Sequence, residues 1–349
     1  MKASARRLGT GGRAALGKRR LTEPNNIWRI RRDLSKRKGS RVAGRLNGKV
    51  AIVTGAGRGI GRGEALALAA EGAAVVVNDL GGSTAGEGAD ATPAQAVVDE
   101  IYAAGGRAVA NYANVADFDA TGAMVNQALE EFGQLDILVN NAGILRDRMV
   151  FNMTKEEWDA VIAVHLTGTF NTIKHASVLM RQQRSGRIIN TSSISGLGNV
   201  GQANYAAAKE GIVGITRTVA RDLGRYGVTC NALRPAAATR LTLSPEMEAA
   251  RAARIARGEP AEGGGLDSMD PDGIAPLVVY LASDDAWHIN GRDFSIMATA
   301  LGLYTIPQLE AQVFSRGNRW TVDEMFEVFP KTLGPLLDNP FVPQEAAAK

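Results

Sequence analysis

Lys49-Val-Ala-Ile-Val-Thr54-Gly55-Ala-Gly-Arg58-Gly59-Ile60-Gly61 decides the fold. Its first six residues read as a buried strand, and Ile60 to Glu71 reads as a helix opening directly out of the glycines. Strand, glycine turn and helix N-terminus together make a dinucleotide site, because bare backbone lets a pyrophosphate approach and the helix dipole favours its charge. A glycine run alone can be no more than a tight turn, so the context matters. The next strand, Ala74 to Asn78, ends in Asp79, about 20 residues after the loop, as a ribose-binding carboxylate should. A carboxylate there repels a 2′-phosphate and favours NAD over NADP, while Arg58 inside the loop pulls the other way.

Outward from this unit, strand and helix patterns alternate as in parallel α/β proteins. Helices are expected over Pro93 to Ala104, Asp117 to Phe132, Lys155 to Arg184 and Ala203 to Tyr226. Strands are expected over Ala108 to Tyr112, Asp136 to Asn140, Arg187 to Thr191 and Val228 to Leu233. The stretch from 237 to about 266 departs from the pattern: a helix over Pro245 to Arg257 and then Gly263-Gly-Gly265 suit a lid over a substrate. Asp272 to Ala282 reads as a further helix, Gly291 to Met297 as the last strand, and Val322 to Phe329 as a short helix in the tail. The expectation is a single α/β domain over residues 46–300. It is a doubly wound parallel sheet, Rossmann-like, with helices on both faces, an N-terminal arm (1–45) and a C-terminal extension (301–349).

Chemistry enters with Tyr205 and Lys209. Positions i and i+4 share one helix face, so the phenol and the ammonium can point into one pocket. A nearby cation favours the phenolate, and bringing a tyrosine from a pKa of about 10 to near 7 takes about 4 kcal/mol of differential stabilisation. Such a tyrosine exchanges a proton with an alcohol or ketone at neutral pH. With the glycine loop upstream, the pair points to hydride transfer.

Charge is unevenly spread. Residues 1–45 hold 15 Lys or Arg against Glu23 and Asp33, a net of +13, whereas the remainder has 25 basic and 34 acidic residues. The arm reads as a disordered extension; contact with nucleic acid or an anionic surface, or a transit peptide, are the alternatives. The one cysteine, Cys230, cannot form an internal disulfide and reads as a buried strand thiol, which suits a reducing, cytoplasmic setting. No apolar run approaches the roughly 20 residues of a membrane span. Three histidines and one cysteine, widely spaced, form no metal-ligand pattern.

Thr54 to Gly61, Asn140-Asn141-Ala142-Gly143, Ser193 and the Tyr205/Lys209 pair, in this order on these elements, resemble the short-chain dehydrogenase/reductase superfamily. Longer strings (Val75-Val-Val-Asn-Asp-Leu-Gly-Gly82, Asn140 to Arg148, Val164-His-Leu166, Gly201 to Tyr205) look like the (3R)-hydroxyacyl-CoA dehydrogenase domain of the peroxisomal multifunctional β-oxidation enzyme and its free-standing bacterial relatives. The resemblance implies that Ser193 hydrogen-bonds the reacting oxygen, Tyr205 is the acid/base, and Lys209 stabilises the phenolate and holds the nicotinamide ribose. It assigns Thr54, Gly55, Arg58, Gly59, Ile60, Gly61 and Asp79 to the cofactor, with Asn141, Ala142 and Gly143 along adenine and ribose. Asn114 and Val115 stand where relatives carry Asp-Val beside the adenine, Pro235 enters the cofactor set, and Thr239 would contact the carboxamide. It further implies a homodimer or homotetramer built on the long helices, and a hydroxyacyl-CoA substrate. A hydroxysteroid, another secondary alcohol or an acyl-carrier-linked ketone are alternatives within enzymes, and a vestigial dinucleotide-binding regulator is the alternative outside them.

Several positions depart from the family pattern. His165 stands where many relatives have asparagine, Pro235-Ala236 replaces Pro-Gly, and the spacing from Ser193 to Tyr205 is one residue short. With no hydratase-like or sterol-carrier-like pattern in residues 301–349, any β-oxidation role is expected to draw on separate proteins.

If the arm is a solvated extension, a truncated chain beginning at Arg45 should keep its turnover and melting temperature, since the first core strand starts only at Lys49. It should lose salt-sensitive retention on an anionic matrix. A lower melting temperature would place the arm against the folded domain.

Overall fold

The structure is a computed structural model and describes residues 44–241, 270–297, 299–337 and 341. Each strand at the centre of the sheet is apolar on both sides, so it demands cover on both faces. β1 (Val50–Thr54) and β2 (Ala74–Asn78) are buried at every residue. Alternate residues of each serve opposite cores: Ala51, Val53, Val75 and Val77 belong to one, and Val50, Ile52, Ala74 and Val76 to the other. Burying a fully enclosed side chain such as Ile52 is worth about 1.5–3 kcal/mol.

The cover comes from crossover helices. α1 (Gly59–Ala70) and α2 (Thr92–Ala103) flank β2; β3 (Arg107–Asn111), α3 (Phe118–Phe132) and β4 (Ile137–Asn140) follow. Next come α4 (Lys155–Ile162), a π-helical turn (Ala163–Thr167), α5 (Gly168–Gln183), β5 (Gly186–Thr191), α6 (Ala203–Gly224) and β6 (Val228–Ala236). The order closes with α7 (Ala275–Ala282), β7 (Asp293–Met297), β8 (Ala300–Leu303) and, in the tail, α8 (Val322–Val328). Residues of α1, α2 and α7 fill one core, and those of α3, α5 and α6 the other.

The eight strands run in the order β3-β2-β1-β4-β5-β6-β7-β8. Seven are parallel, and β8 pairs antiparallel with β7. This is the doubly wound, Rossmann-like α/β sheet that the sequence predicts. The order reverses between β1 and β4, and there the crossover loops diverge to leave a crevice at the carboxyl ends of the strands.

Three elements differ from expectation. The helix expected over Lys155 to Arg184 is broken by the π-helical turn, an insertion that helical periodicity does not reveal. Its N-terminus carries a capping box that the sequence does show: Thr154 accepts from Glu157 N, and the Glu157 carboxylate accepts from Thr154 N. β6 runs on to Ala236, so Pro235 lies within a strand, aligned with Ile296. The sheet does not end at Met297, because β8 adds an antiparallel edge from residues assigned to the extension boundary. The helix and glycine hinge expected over 245–266, and residues 1–43 of the arm, lie outside the described residues.

Candidate active site

The crevice at the β1/β4 switch is a cavity of about 390 Å³. Gly55, Arg58, Gly59, Ile60, Asp79, Asn114, Val115, Asn141, Ala142, Gly143 and Thr239 line it, with Ile144, Val164 and Arg240 added. Thr54 sits beneath: its hydroxyl accepts from Asn141 N at 3.0 Å and Ala142 N at 3.1 Å, tying the end of β1 to the loop after β4. Gly59 takes φ +54°, a left-handed backbone that glycine adopts without strain. A Cβ on Gly61 would overlap the Gly55 carbonyl oxygen, so α1 starts hard against the strand that precedes it. Such a bare-backbone cradle at a helix N-terminus fits a dinucleotide pyrophosphate.

Asp79 closes one end. Its two oxygens accept from Gly57 N at 2.8 Å and Gly81 N at 2.7 Å, which fixes a buried negative charge beside the glycine loop. The loop after β2 then folds back along the cavity. Leu145 N donates to Thr84 O at 2.9 Å, Arg146 Nε to Ala85 O at 2.9 Å and Arg240 Nη1 to Gly82 O at 3.1 Å. Arg240 feels both Arg58 and Asp79, and burial lowers its pKa. Sequence reasoning missed Arg240. Its position beside Thr239 marked a cofactor-facing loop, but a loop arginine carries no periodic signal.

Asn140 and Gly143 each have a structural partner of their own. Asn140 is buried in β4, donating to Asn190 Oδ1 at 2.9 Å and accepting from Thr172 at 2.6 Å, so it braces the sheet rather than the crevice. Gly143 lines the cavity, yet a Cβ there would overlap the His165 ring. The glycine is therefore required by a packed imidazole, whatever approaches from the other side.

Ser193, Tyr205 and Lys209 meet where β5 ends and α6 begins. Adjacent serines are told apart by their partners. Ser192 is buried and donates to the Lys209 carbonyl at 2.7 Å, a structural bond, whereas the Ser193 hydroxyl accepts from Ser195 N at 3.1 Å and neighbours the Tyr205 phenol. Lys209 Nζ stands 5.4 Å from the Tyr205 ring centroid and donates to Thr191 O at 2.7 Å.

The electrostatics run against the sequence expectation. Burial pushes Tyr205 up to about 12, with Ser193 pulling the other way, and burial pushes Lys209 down to about 7. The leading cause of both is the loss of water around a charge, and at Tyr205 the Asp147 carboxylate adds to it. The chain's own groups thus favour neutral phenol beside an ammonium poised to lose its proton, not a phenolate near 7.

His165, on the π-helical turn, packs edge-on to Tyr205 with ring centroids 5.1 Å apart. Its Nε2 lies 2.8 Å from Ile144 O and 3.0 Å from Ile144 N, while Nδ1 is buried without a partner. Burial, then the nearby Lys209, lower its pKa to about 3, so the ring is neutral at pH 7. The π-turn is what aims this ring at the tyrosine; single π-turns of this kind recur at functional sites.

A profile for short chain dehydrogenases matches residues 49–248, and the chain belongs to the short-chain dehydrogenase/reductase family. It is an oxidoreductase acting on CH–OH groups, with an NAD(P) cofactor. The chain is 44% identical over 297 residues to the hydroxyacyl-CoA dehydrogenase ChsB1 of Mycobacterium tuberculosis, covering 80% of this chain and 87% of the relative. It is 42% identical over 256 residues, 72% of its length, to the peroxisomal hydratase-dehydrogenase-epimerase of Neurospora crassa, of which it spans 26%. The crystal structure of a short chain dehydrogenase from Mycobacterium avium superposes with a TM-score of 0.71 at 45% identity, covering 86% of this chain and 99% of that one.

The low His165 value makes stability depend on pH. Its folded pKa lies below the unfolded value near 6.5, so between pH 6.5 and about 3 the unfolded chain binds a proton that the folded chain refuses, and stability falls as pH drops. His165→Asn removes that term. Urea denaturation at pH 7 and pH 4.5 should show the wild type losing on the order of 2 kcal/mol more than the variant.

Proposed function

We propose that this protein is an NAD-dependent dehydrogenase that interconverts a (3R)-hydroxyacyl-CoA and a 3-oxoacyl-CoA. The observation that carries the chemistry is the convergence of Ser193, Tyr205 and Lys209 at the end of β5 and the start of α6. Ser193 bonds the reacting oxygen and orients it toward the Tyr205 phenol. Tyr205 Oη carries the exchanged proton: as the neutral phenol it gives that proton to the reacting oxygen in reduction, and in oxidation it takes the hydroxyl proton as the phenolate, which it reaches by first losing its own proton beside Lys209. Lys209, whose pKa lies near neutrality, supplies a positive charge that is easily drawn out by an anion forming beside it. NAD, held by the Gly55–Gly61 loop, Asp79, Asn114, Val115, the 141–143 loop, Pro235 and Thr239, would supply the hydride acceptor.

The acyl-CoA substrate is supported by the similarity to the hydroxyacyl-CoA dehydrogenase ChsB1, at 44% identity. The preference for NAD is supported by Asp79, whose charge is held in place by two backbone donors. Arg58 and Arg240 oppose it, and the carboxylate is the more firmly fixed of the three. Self-association through the long helices α4, α5 and α6 is supported on α4 by the outward Trp158 and on α5 by Phe170 and Val178, which are 40%, 50% and 43% exposed. The buried thiol of Cys230 suits a reducing compartment, which we read as the cytoplasm. Among the described residues no helix is long and apolar enough to cross a membrane.

NADH formation over a panel of (3R)- and (3S)-hydroxyacyl-CoAs, hydroxysteroids, acyl-carrier-linked substrates and simple alcohols should be fastest with the (3R)-hydroxyacyl-CoAs. Tyr205→Phe keeps the ring and removes the transferable proton, so kcat should fall by about 10²-fold or more with cofactor affinity retained. A variant keeping over about a tenth of wild-type turnover would overturn the acid/base assignment.

For the cofactor, kcat/KM should favour NAD over NADP, and Asp79→Ala should shift that ratio toward NADP by about tenfold or more. A wild-type preference for NADP would mean that the two arginines outweigh the carboxylate.

A further inference from the structure

Arg234 is an unusual residue for its place. It lies in β6 between Leu233 and Pro235, aligned with Ser295 of β7, and is only 3% exposed. A guanidinium removed from water so completely is tolerated only when its donors are met in their own planar geometry. Here each side of the fork finds a different element. Nε donates to Asp293 Oδ2 of β7 at 2.8 Å, Nη2 to Glu210 Oε2 of α6 at 2.8 Å, and Nη1 to the Ser193 carbonyl at 2.7 Å. The ring of Tyr304, one residue past β8, covers the guanidinium with its centroid 5.0 Å from the central carbon. Tyr304 is held there by its own N–H, which donates to Asp293 O at 2.9 Å.

The third of these bonds bears on the reaction. Ser193 sits in extended backbone at the end of β5, at the mouth of a 3₁₀ turn over Ile194–Leu197. Its carbonyl accepts one neutral bond from Gly196 N at 3.1 Å and the shorter, charge-assisted one from Arg234. The turn also runs against the clamp: a Cβ on Gly196 would lie 3.0 Å from Glu210 Oε2 and 3.1 Å from Arg234 Nη1. Glu210 in turn follows Lys209 on α6. One side chain thus ties together the serine's main chain, the helix that carries the tyrosine and lysine, the last parallel strand and the segment after β8.

We infer that Arg234 is a positioning residue for catalysis: by clamping the Ser193 carbonyl it sets where the Ser193 hydroxyl stands relative to Tyr205. The clamp makes residues 300–304 part of the site's support, although none of them lines the cavity. This inference rests on the proposed role of Ser193, and its test separates the two.

The test is a double-mutant cycle in purified full-length protein. Arg234→Lys keeps a cation for Asp293, but a single ammonium cannot reproduce the three-way fork. It should lower kcat by about 10- to 100-fold, the scale of a misplaced catalytic group, with the dissociation constant for NAD changed less than about twofold. In a Ser193→Ala background the same substitution should change kcat by less than about twofold, because the hydroxyl that it positions is gone. A purely structural role would lower kcat by the same factor in both backgrounds, and that result overturns the clamp while leaving Ser193 in place. Wild-type turnover in Ser193→Ala overturns the serine assignment and the clamp with it. If circular dichroism shows Arg234→Lys unfolded, the cycle is run with Arg234→Gln paired with Asp293→Asn, which removes the buried ion pair whole, and the same pattern of loss and non-additivity is expected.

Discussion

No side chain fits between the start of α1 and the end of β1. A Cβ on Gly61 would overlap the Gly55 carbonyl oxygen, and one on Gly55 would come within 2.7 Å of the Ala142 Cα. Strand, helix and the loop after β4 therefore meet at backbone contact, and the crevice at the switch point takes its position from that contact. Asp79 locks the same corner from the next strand over, through Gly57 N. The cavity is built from main chain at one end for this reason, and its polar lining consists largely of groups already committed to holding loops in place.

At the other end the governing quantity is the scarcity of water. Tyr205, Lys209 and His165 are crowded into one dry region, and each is driven toward its neutral form. Neutral groups store no charge of their own but respond strongly to charge that arrives, because the local dielectric is low. The lysine, with its proton loosely held and its one bond to Thr191 O, is the group best placed to respond. Arg234 contrasts with it: equally buried, yet bound on three sides, so that its pKa is raised and its charge is permanent. One cation is tuned for change and the other for rigidity, and the difference lies in the number of anionic acceptors each is given.

Much of the fold was legible because its signals are local. Strand ends and the crossover helices follow from periodicity, glycine placement and side chains within a few residues of one another. The π-helical turn, the extension of β6 through Pro235 and the antiparallel β8 were not, since each depends on a partner element. A proline in a central strand argues against the strand on local grounds, and only its pairing with β7 overrides that. In the site, the candidates Ser193, Tyr205 and Lys209 were named from the resemblance, but what sets Ser192 apart from Ser193 in the fold is a bond from Ser192 to a helix carbonyl 17 residues away.

The sequence by itself determined that a parallel sheet would carry a dinucleotide crevice, and that a tyrosine and a lysine would share a helix face nearby. These are consequences of spacing, which the chain states directly. Tertiary structure alone decided the electrostatic state of that pair. The sequence argument counted the lysine's charge and concluded that the phenol's pKa would fall; the fold removed the water from both, and that desolvation moves each toward its neutral form. It also decided that Gly143 answers to His165, and that Arg234 reaches the serine at all. Such contacts join residues tens of positions apart, and burial, which sets their strength, is a property of the packed molecule and not of any segment within it.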